Sequence, residues 1–268
     1  MSAAVDSYKV SAKYYDEAYA AKKDLMDLPF YLGLAKLIGG PVLELACGTG
    51  RVLLPIAREG IAIHGVDNSV PMISALRKNL QREPKDVREL VSVVEGDVRT
   101  FRSNREYPLV IIPFRPLQHM YTLEDQIAAF KTAAFHLERD GILAFDVFFP
   151  KFDLIHAGMG QEILEMEWPV KSDPEKIVRR YFRKESVDKI NQNFTATFVF
   201  RTFQGEKLVQ EETEPLKMSY YTYPHLRSLF LLAGLHIVEE YGSFARTPLD
   251  NNAEQMIFLL KHQAGVSS

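Results

Sequence analysis

The stretch Val42-Leu-Glu-Leu-Ala-Cys-Gly-Thr-Gly50 is a short apolar run that ends in two glycines, one residue apart. A run this short, with Pro41 before it, is typical of a buried parallel strand. Gly48 and Gly50 allow the backbone to turn sharply and carry no Cβ that would block a ligand. A helix-compatible segment follows, so the first amides of that helix are expected to face whatever binds above the strand.

A second apolar run, residues 61–66, ends in Asp67. In doubly wound α/β folds, a carboxylate at the tip of the second strand hydrogen-bonds the hydroxyls of a ribose. Together with the glycine turn, Asp67 predicts a site for a cofactor that contains adenosine. The alternative is a glycine turn that binds no ligand.

The residues after the glycine turn narrow the kind of cofactor. A dinucleotide-binding loop needs a third glycine at the position that Leu53 occupies here. A P-loop needs Gly-Lys-Ser or Gly-Lys-Thr, which does not follow in this sequence. A ligand with a ribose and no phosphates therefore agrees better with this loop than a dinucleotide or a nucleoside triphosphate does.

The motif Glu44-Leu-Ala-Cys-Gly-Thr-Gly50 resembles the first motif of the class I S-adenosylmethionine-dependent methyltransferases, and Asp67 resembles the acid after their second strand. The resemblance covers about residues 10–150 and 223–262, and it is to the small-molecule type, similar to glycine N-methyltransferase and sugar N,N-dimethyltransferases. It implies an α/β fold with a Rossmann-like, doubly wound seven-stranded sheet. It also implies S-adenosyl-L-methionine as the cofactor and S-adenosyl-L-homocysteine as the product.

The order of the predicted elements agrees with such a sheet, because apolar strand-like runs alternate with helical segments as far as Pro150. After Pro150 the sequence changes to short strand-like runs, and in one of them Phe194, Phe198 and Phe200 alternate with other residues, as in a strand with one packed face. We therefore expect residues 1–150 and 223–268 to form the cofactor-binding core. Residues 151–222 are expected to form an antiparallel β insert after strand 5, which acts as a lid or as a dimerisation surface.

Composition and charge exclude several classes of protein. The chain has 268 residues, of which 47% are hydrophobic and 25% are charged, as is ordinary for a globular protein with a sizeable core. Its net charge of −3 argues against a protein that binds nucleic acid through phosphates. The N-terminus has no apolar signal core, and no apolar run is long enough to span a membrane. The single cysteine makes a cysteine-based metal site unexpected. A cytoplasmic enzyme agrees with these features.

The resemblance implies which residues contact the cofactor. Tyr15 lies in an N-terminal helix that covers the cofactor in relatives, although a tyrosine there also suits core packing. Asp97, which closes the third strand, is expected near the adenine amine, with Val98 against the ring. The full set of expected cofactor-binding residues is Tyr15, Glu44, Ala46, Gly48, Gly50, Arg51, Asp67, Asn68, Met72, Asp97, Val98 and Pro113.

Two residues are candidates for catalysis. His119 follows the fourth strand, where the methyl group is expected to be delivered, and an imidazole there can orient or deprotonate an acceptor. The alternative is a histidine that caps the next helix. Tyr223 belongs to an aromatic segment between the insert and the core, where it either borders the acceptor or packs the two parts together. No metal site is expected.

The fourth strand also bears on the acceptor. Enzymes of this family that methylate a nucleobase amine carry Asn/Asp-Pro-Pro-Tyr/Phe where this chain has Ile112-Pro-Phe-Arg115. We therefore predict methyl transfer to N or O of a small-molecule acceptor, with no nucleic-acid or membrane partner and with a possible homodimer through the insert. The alternatives are a catalytically silent S-adenosylmethionine-binding protein with a regulatory or interaction role, and a dinucleotide-dependent oxidoreductase.

Overall fold

The computed structural model describes residues 8–22 and 25–263. They divide into two compact units. The core unit contains Met26–Pro150 and Tyr220–Ser268, and the smaller unit contains the N-terminal residues as far as Leu25 together with Lys151–Ser219. The sequence predicts that the N-terminal segment belongs to the core, whereas the structure groups it with the insert.

The helices are α1 (Ser11–Ala20), α2 (Asp27–Ile38), α3 (Leu53–Arg58), α4 (Val70–Gln81), α5 (Lys85–Glu89), α6 (Leu123–Phe135), α7 (Phe152–His156) and α8 (Tyr223–Leu232). The strands are β1 (Val42–Leu45), β2 (Ile63–Asp67), β3 (Val91–Glu95), β4 (Tyr107–Ile112), β5 (Leu137–Phe148), β6 (Glu162–Val170), β7 (Asp173–Asp188), β8 (Asn193–Gln204), β9 (Lys207–Ser219), β10 (Leu235–Tyr241) and β11 (Gln255–His262). A 3₁₀ turn covers Pro116–His119. None of the helices in the described ranges is long and apolar enough to span a membrane.

The core unit is a seven-stranded sheet in the order β10-β11-β5-β4-β1-β2-β3. Strands β1 to β5 are parallel to one another, and β11 is antiparallel to both β5 and β10. This arrangement confirms the Rossmann-like, doubly wound fold class. Because parallel strands end at the same edge, the segments after β1, β2, β4 and β5 meet along the carboxyl edge of the sheet.

Both faces of the core sheet are covered, as parallel sheets require. Successive residues of β1 point to opposite faces, so Leu43 and Leu45 join one apolar cluster and Val42 joins the other. The first cluster is closed by α6 and α8, where Phe130 and Phe230 pack 5.2 Å and 5.7 Å from Phe145, measured between ring centroids. The second cluster is closed mainly by α2 and α3.

The strands of the core begin and end close to the predicted positions, with one exception. The sequence predicts a turn at Asp140-Gly141, but β5 already begins at Leu137, which pairs with Tyr107 of β4. A Cβ on Gly141 would lie 3.0 Å from the carbonyl oxygens of Glu138 and Tyr107. This glycine therefore serves a close approach of two backbones within the sheet.

The smaller unit is a four-stranded antiparallel sheet in the order β6-β7-β8-β9, as predicted for the insert. A two-residue turn at Gly205 joins β8 to β9. Helix α1 packs on the face that carries Phe200, and the rings of Tyr14 and Phe200 stack 5.1 Å apart. Glu214 of β9 accepts a hydrogen bond from the Val10 N–H at 2.8 Å and so satisfies the amino end of α1. The predicted packed face of the insert thus covers the N-terminal helix.

Candidate functional site

The glycine turn after β1 presents one open backbone position. Ala46, Gly48 and Gly50 all have positive φ angles, of 60°, 55° and 86°. A Cβ built on Gly48 would meet no atom of the described chain within 4 Å. The N–H of Gly48 donates to Asp67 Oδ2 at 2.8 Å, which ties the turn to the end of β2. Space for a ligand therefore adjoins the backbone of Gly48.

Gly50, unlike Gly48, has close side-chain neighbours. A Cβ at Gly50 would lie 3.1 Å from Leu76 Cγ and 3.2 Å from Leu54 Cγ. Helices α3 and α4 thus pack against this glycine, and its φ of 86° also suits glycine best. A ligand contact at either glycine stays a prediction, with open space beside Gly48 and packed helices beside Gly50.

Two acids stand at the ends of β2 and β3. Asp67 is 7% exposed, and its Oδ1 accepts a hydrogen bond from the Ser69 N–H at 2.8 Å. Burial raises the pKa of the Asp67 carboxyl, although the hydrogen bonds from Ser69, Gly48 and Asn68 oppose that shift. Asp97 accepts from Arg99 Nε at 2.8 Å, and Arg99 holds the pKa of Asp97 below its usual value.

Glu44 is a buried acid in the middle of the sheet. It is 2% exposed, and among the described residues none hydrogen-bonds its Oε2. Burial raises the pKa of Glu44 well above its usual value, and the charge of Arg51 opposes the shift. Arg51 itself pairs with Asp27 of α2 (Nη1 to Oδ1, 3.1 Å) and lies over the ring of Phe114, with Cζ 4.5 Å from the ring centroid.

Three apolar residues that the sequence assigns to the cofactor also lie near this edge, and their contacts with it stay a prediction. Met72 is 4% exposed in the first turn of α4, and its N–H lies 3.5 Å from the Ser69 hydroxyl that caps the helix. Val98 is 7% exposed and belongs to the same apolar cluster as Leu43. Pro113 is buried directly after β4. The predicted residues of the core therefore lie along the carboxyl edge of β1 to β4.

Tyr15, which the sequence also assigns to the cofactor, lies in α1 of the smaller unit. Its ring packs against Tyr19 with centroids 4.5 Å apart. A role for Tyr15 in cofactor binding stays a prediction.

The two candidate catalytic residues lie in different elements of the core unit, His119 in the 3₁₀ turn after β4 and Tyr223 at the start of α8. His119 is half-buried at the end of the 3₁₀ turn after β4, and its Nδ1 lies 3.4 Å from the Tyr121 hydroxyl. The hydroxyl of Tyr221, which is fully buried, donates to the Leu117 carbonyl at 2.6 Å and so anchors this turn. Tyr223 instead donates its hydroxyl to Glu240 of β10 at 2.8 Å. Its catalytic role, like that of His119, stays a prediction.

Sequence reasoning missed a second buried acid, Asp146 of β5. It is 1% exposed, and its Oδ1 accepts hydrogen bonds from the Tyr31 hydroxyl at 2.7 Å and from the Phe114 N–H at 2.8 Å. Burial raises the pKa of Asp146 to about 6. The signal was present in the sequence, since Asp146 interrupts an apolar strand in the same way as Glu44 does. Its partner Tyr31 lies on α2 and carries no recognisable motif.

Known proteins that are similar to this chain are methyltransferases. A family model described as a methyltransferase domain matches residues 42–141. The chain is 25% identical over 228 residues, 85% of each chain, to a cypemycin N-terminal methyltransferase from a Streptomyces species.

Two solved structures show the same fold along nearly the whole chain. The CcbJ methyltransferase from Streptomyces caelestis superposes with a TM-score of 0.77 at 23% identity, over 97% of both chains. S-adenosylmethionine-bound CalS10 from Micromonospora echinaspora, an amino pentose methyltransferase, superposes with a TM-score of 0.68 at 16% identity, over 91% of this chain and 95% of that chain. The glycine turn, the acid after β2 and the seven-stranded sheet agree with these likenesses: residues 42–141 match a methyltransferase domain, and the chain has the fold of S-adenosylmethionine-dependent methyltransferases.

Proposed function

We propose that this methyltransferase transfers the methyl group of S-adenosylmethionine to an amine nitrogen of a small molecule. In this proposal the ends of β1, β2 and β3 hold the cofactor, and the segment from Pro113 to Tyr121 meets the acceptor. The main support for this proposal is the hydrogen bond from the Gly48 N–H to Asp67, which places an open backbone position next to a buried carboxylate.

The residues at the carboxyl edge suit this cofactor. Asp67 provides carboxylate oxygens for the ribose hydroxyls, as acids in this position do in doubly wound folds. Glu44 Oε2 is buried and needs a donor, which the ammonium group of the methionine part would supply. Asp97 and Val98 suit an adenine, as a hydrogen-bond acceptor and an apolar surface. Arg51, which pairs with Asp27, places a positive charge among the acids of this edge.

The cofactor supplies a methyl group on a positively charged sulfur, so the protein does not need to activate the electrophile. What the chain supplies is alignment of the acceptor and exclusion of water. We propose that the imidazole of His119 orients the acceptor or accepts a proton from it, because His119 lies in the segment after β4 and an imidazole titrates near neutral pH. An amine that binds in its neutral form requires less help from this histidine than a hydroxyl does.

Two observations favour an amine over a hydroxyl. Three buried acids, Glu44, Asp67 and Asp146, lie on the strands of this part of the sheet, and a group that gains positive charge would favour their ionised forms. Two of the similar proteins are named for an amine acceptor, the cypemycin N-terminal methyltransferase for an N-terminus and CalS10 for an amino pentose.

The test separates the proposal from its alternatives. Calorimetry should show binding of S-adenosylmethionine and S-adenosylhomocysteine, and no binding of nicotinamide dinucleotides. Labelled S-adenosylmethionine is then offered with amino sugars and with short peptides that have a free N-terminus, each next to an analogue with a hydroxyl in place of the amine. Label transfer to an amine and not to its hydroxyl analogue supports the proposal. Cofactor binding without transfer to any acceptor favours a silent binding protein, and transfer to the hydroxyl analogues contradicts the choice of nitrogen.

A further inference from the structure

The segment after β4 adopts a backbone conformation that its residues do not favour. Phe114 and Arg115 both have φ angles of 68°, in the left-handed region that side chains other than those of glycine, asparagine and aspartate rarely enter. Two such residues in succession persist when the surrounding structure holds them there. The contacts of this turn should therefore show what holds it.

Asp146 of β5 makes the central contact. Its Oδ1 accepts the Phe114 N–H at 2.8 Å and also the Tyr31 hydroxyl at 2.7 Å, so α2, β5 and the turn converge on one oxygen. Arg115 Nε lies 4.0 Å from Asp146 Oδ2, and Arg115 Nη2 donates to Gln255 Oε1 at 2.9 Å. On its other side, the Phe114 ring lies under Arg51 of the glycine turn.

Accepting hydrogen bonds from Phe114 and Tyr31 does not require a negative charge on Asp146. The side chain is 1% exposed, and across residues 8–22 and 25–263 no group hydrogen-bonds its Oδ2. An asparagine would offer the same acceptor oxygen to Phe114 and Tyr31 without burying a charge. Costly groups of this kind are typical of sites where function, and not stability, selects the residue.

We propose that Asp146, fixed by Tyr31, is a positioning residue for methyl transfer. Its carboxylate holds the Phe114–Arg115 turn in the conformation that orients the acceptor toward the methyl group. Asp146 acts through the turn and not on the acceptor, because it is buried. The inference rests on the proposed function, in which the segment after β4 meets the acceptor.

The first experiment measures the turn itself and needs no acceptor. Hydrogen–deuterium exchange of a peptide that covers residues 112–120 is compared between the wild type, Asp146→Ala and Asp146→Asn. We expect Asp146→Ala to speed exchange at Phe114 and Asp146→Asn to retain most of the protection, since the amide oxygen still accepts that N–H. Equal protection in a folded Asp146→Ala would overturn the proposal.

The second experiment uses two buried tyrosines as a matched pair. Tyr31 and Tyr107 are both 0% exposed, and each hydroxyl has a partner at 2.7 Å, Asp146 for Tyr31 and His64 Nδ1 for Tyr107. Tyr107 begins β4 at the opposite edge of the sheet from the turn. Tyr31→Phe should therefore disturb the turn, and Tyr107→Phe should remove an equivalent hydroxyl without doing so.

We expect Tyr31→Phe to lower kcat for the accepted amine and to leave S-adenosylmethionine affinity unchanged, whereas Tyr107→Phe leaves both unchanged. For Asp146→Ala the loss of kcat should approach about 100-fold, the effect of a misplaced reacting group. Asp146→Asn should recover part of that loss, since the amide oxygen still accepts the Phe114 N–H. If both tyrosine variants behave alike, or if only the acceptor KM changes, the positioning role is wrong.

Failure of the proposed function has a different signature. If the wild type methylates no amine, the choice of acceptor is wrong, and the exchange experiment still decides whether Asp146 and Tyr31 hold the turn. If Asp146→Ala does not fold, Tyr31→Phe carries both measurements.

Discussion

At the scale of single residues, the two glycines of the motif have separate tasks. A side chain at Gly48 would enter open space, whereas a side chain at Gly50 would meet Leu76 and Leu54. The sequence alone shows two glycines in one motif and cannot show which neighbours each of them has, because those neighbours come from helices later in the chain.

We therefore expect different losses from two substitutions. Gly48→Asn should keep the thermal stability near that of the wild type, since asparagine tolerates the left-handed region, but it should weaken S-adenosylmethionine binding by blocking the open position. Gly50→Asn should lower the melting temperature because α3 and α4 must move apart. Calorimetry and thermal unfolding check the pair. Wild-type affinity in Gly48→Asn would show that no part of the cofactor lies against that backbone.

Asp67 provides a second test of the cofactor site. Asp67→Asn keeps an acceptor oxygen for one of the two backbone N–H groups, Gly48 or Ser69, that now donate to separate oxygens, and it removes the charge offered to a ribose. Loss of a charge-assisted hydrogen bond costs about 1.5–3 kcal/mol, so affinity for S-adenosylmethionine should fall roughly ten- to hundredfold. Arg58→Gln, which breaks an exposed ion pair with Glu83, is the control and should leave affinity unchanged. Equal affinity in Asp67→Asn and the control would remove Asp67 from the site.

The buried Asp146 has a consequence for stability as well. Its pKa rises from 3.8 to about 6 on folding, mainly through burial, while Arg115 opposes the shift and Asp27 adds to it. The folded protein therefore binds more protons than the unfolded chain between these values, and stability falls as the pH rises through this window.

The size of the effect follows from the same two values. The difference between the two pKa values of Asp146 corresponds to roughly 3 kcal/mol in the free energy of unfolding, which is an upper figure for one buried group. Asp146→Asn removes this titration, so relative to the wild type it should gain stability at pH 8 and little at pH 4. Urea unfolding at both values measures this. A variant that is less stable than the wild type at pH 8 would mean that the carboxylate stabilises the fold, contrary to the burial argument.

At the scale of elements, the sequence predicts strands better than it predicts what surrounds them. Apolar runs bounded by turn residues indicate β1 to β4 correctly, because a buried parallel strand needs little beyond an apolar run of the right length. The start of β5 was missed because Asp140-Gly141 looks like a turn, although Gly141 is needed for backbone approach. Short elements such as α5 and α7 have too few residues to show a helical period.

The sequence also predicts some residues of the candidate site and misses others. Residues in the motif itself, Glu44, Gly48 and Asp67, could be named from the sequence because their spacing along the chain is local. Tyr31 and Asp146 are 115 residues apart and meet only when α2 packs on the sheet, so no local pattern reveals them.

The amino end of α1 gives a prediction at this scale. Glu214 is 4% exposed and accepts hydrogen bonds from the N–H groups of Val10 and Ser11 and from the Ser11 hydroxyl. Glu214→Ala leaves these donors without their acceptor, at a cost of about 1–3 kcal/mol for each buried group. We expect α1 to become sensitive to limited proteolysis in Glu214→Ala, and Glu214→Gln to restore part of the protection. Equal cleavage of the wild type and Glu214→Ala would show that this carboxylate does not anchor the helix.

At the scale of the whole molecule, each unit has an apolar core of its own. The core unit contains two large clusters, one on each face of its sheet, and the cluster around Trp168, Val178 and Phe200 belongs to the smaller unit. The motif residues predicted to bind the cofactor, apart from Tyr15, all lie in Met26–Pro150. The sequence predicts that the insert serves as a lid for the acceptor or as a dimerisation surface, and trimming the chain separates these two predictions.

We expect a chain of residues 26–150 and 220–268, joined by a flexible glycine–serine linker, to fold and to bind S-adenosylmethionine. A flexible linker of about 15 residues spans roughly 20 Å on average, so it imposes little strain on two chain ends that lie within that distance of each other. Gly48→Asn in the trimmed chain is the control, because it should weaken the binding as it does in the full chain if that binding uses the glycine turn. Methyl transfer to the accepted amine should be lost if the insert helps to select the acceptor. A trimmed chain that keeps full turnover and changes only its oligomeric state, measured by light scattering, would instead make the insert an assembly module. A folded trimmed chain that does not bind the cofactor would show that residues outside the core unit, Tyr15 among them, are needed for the site.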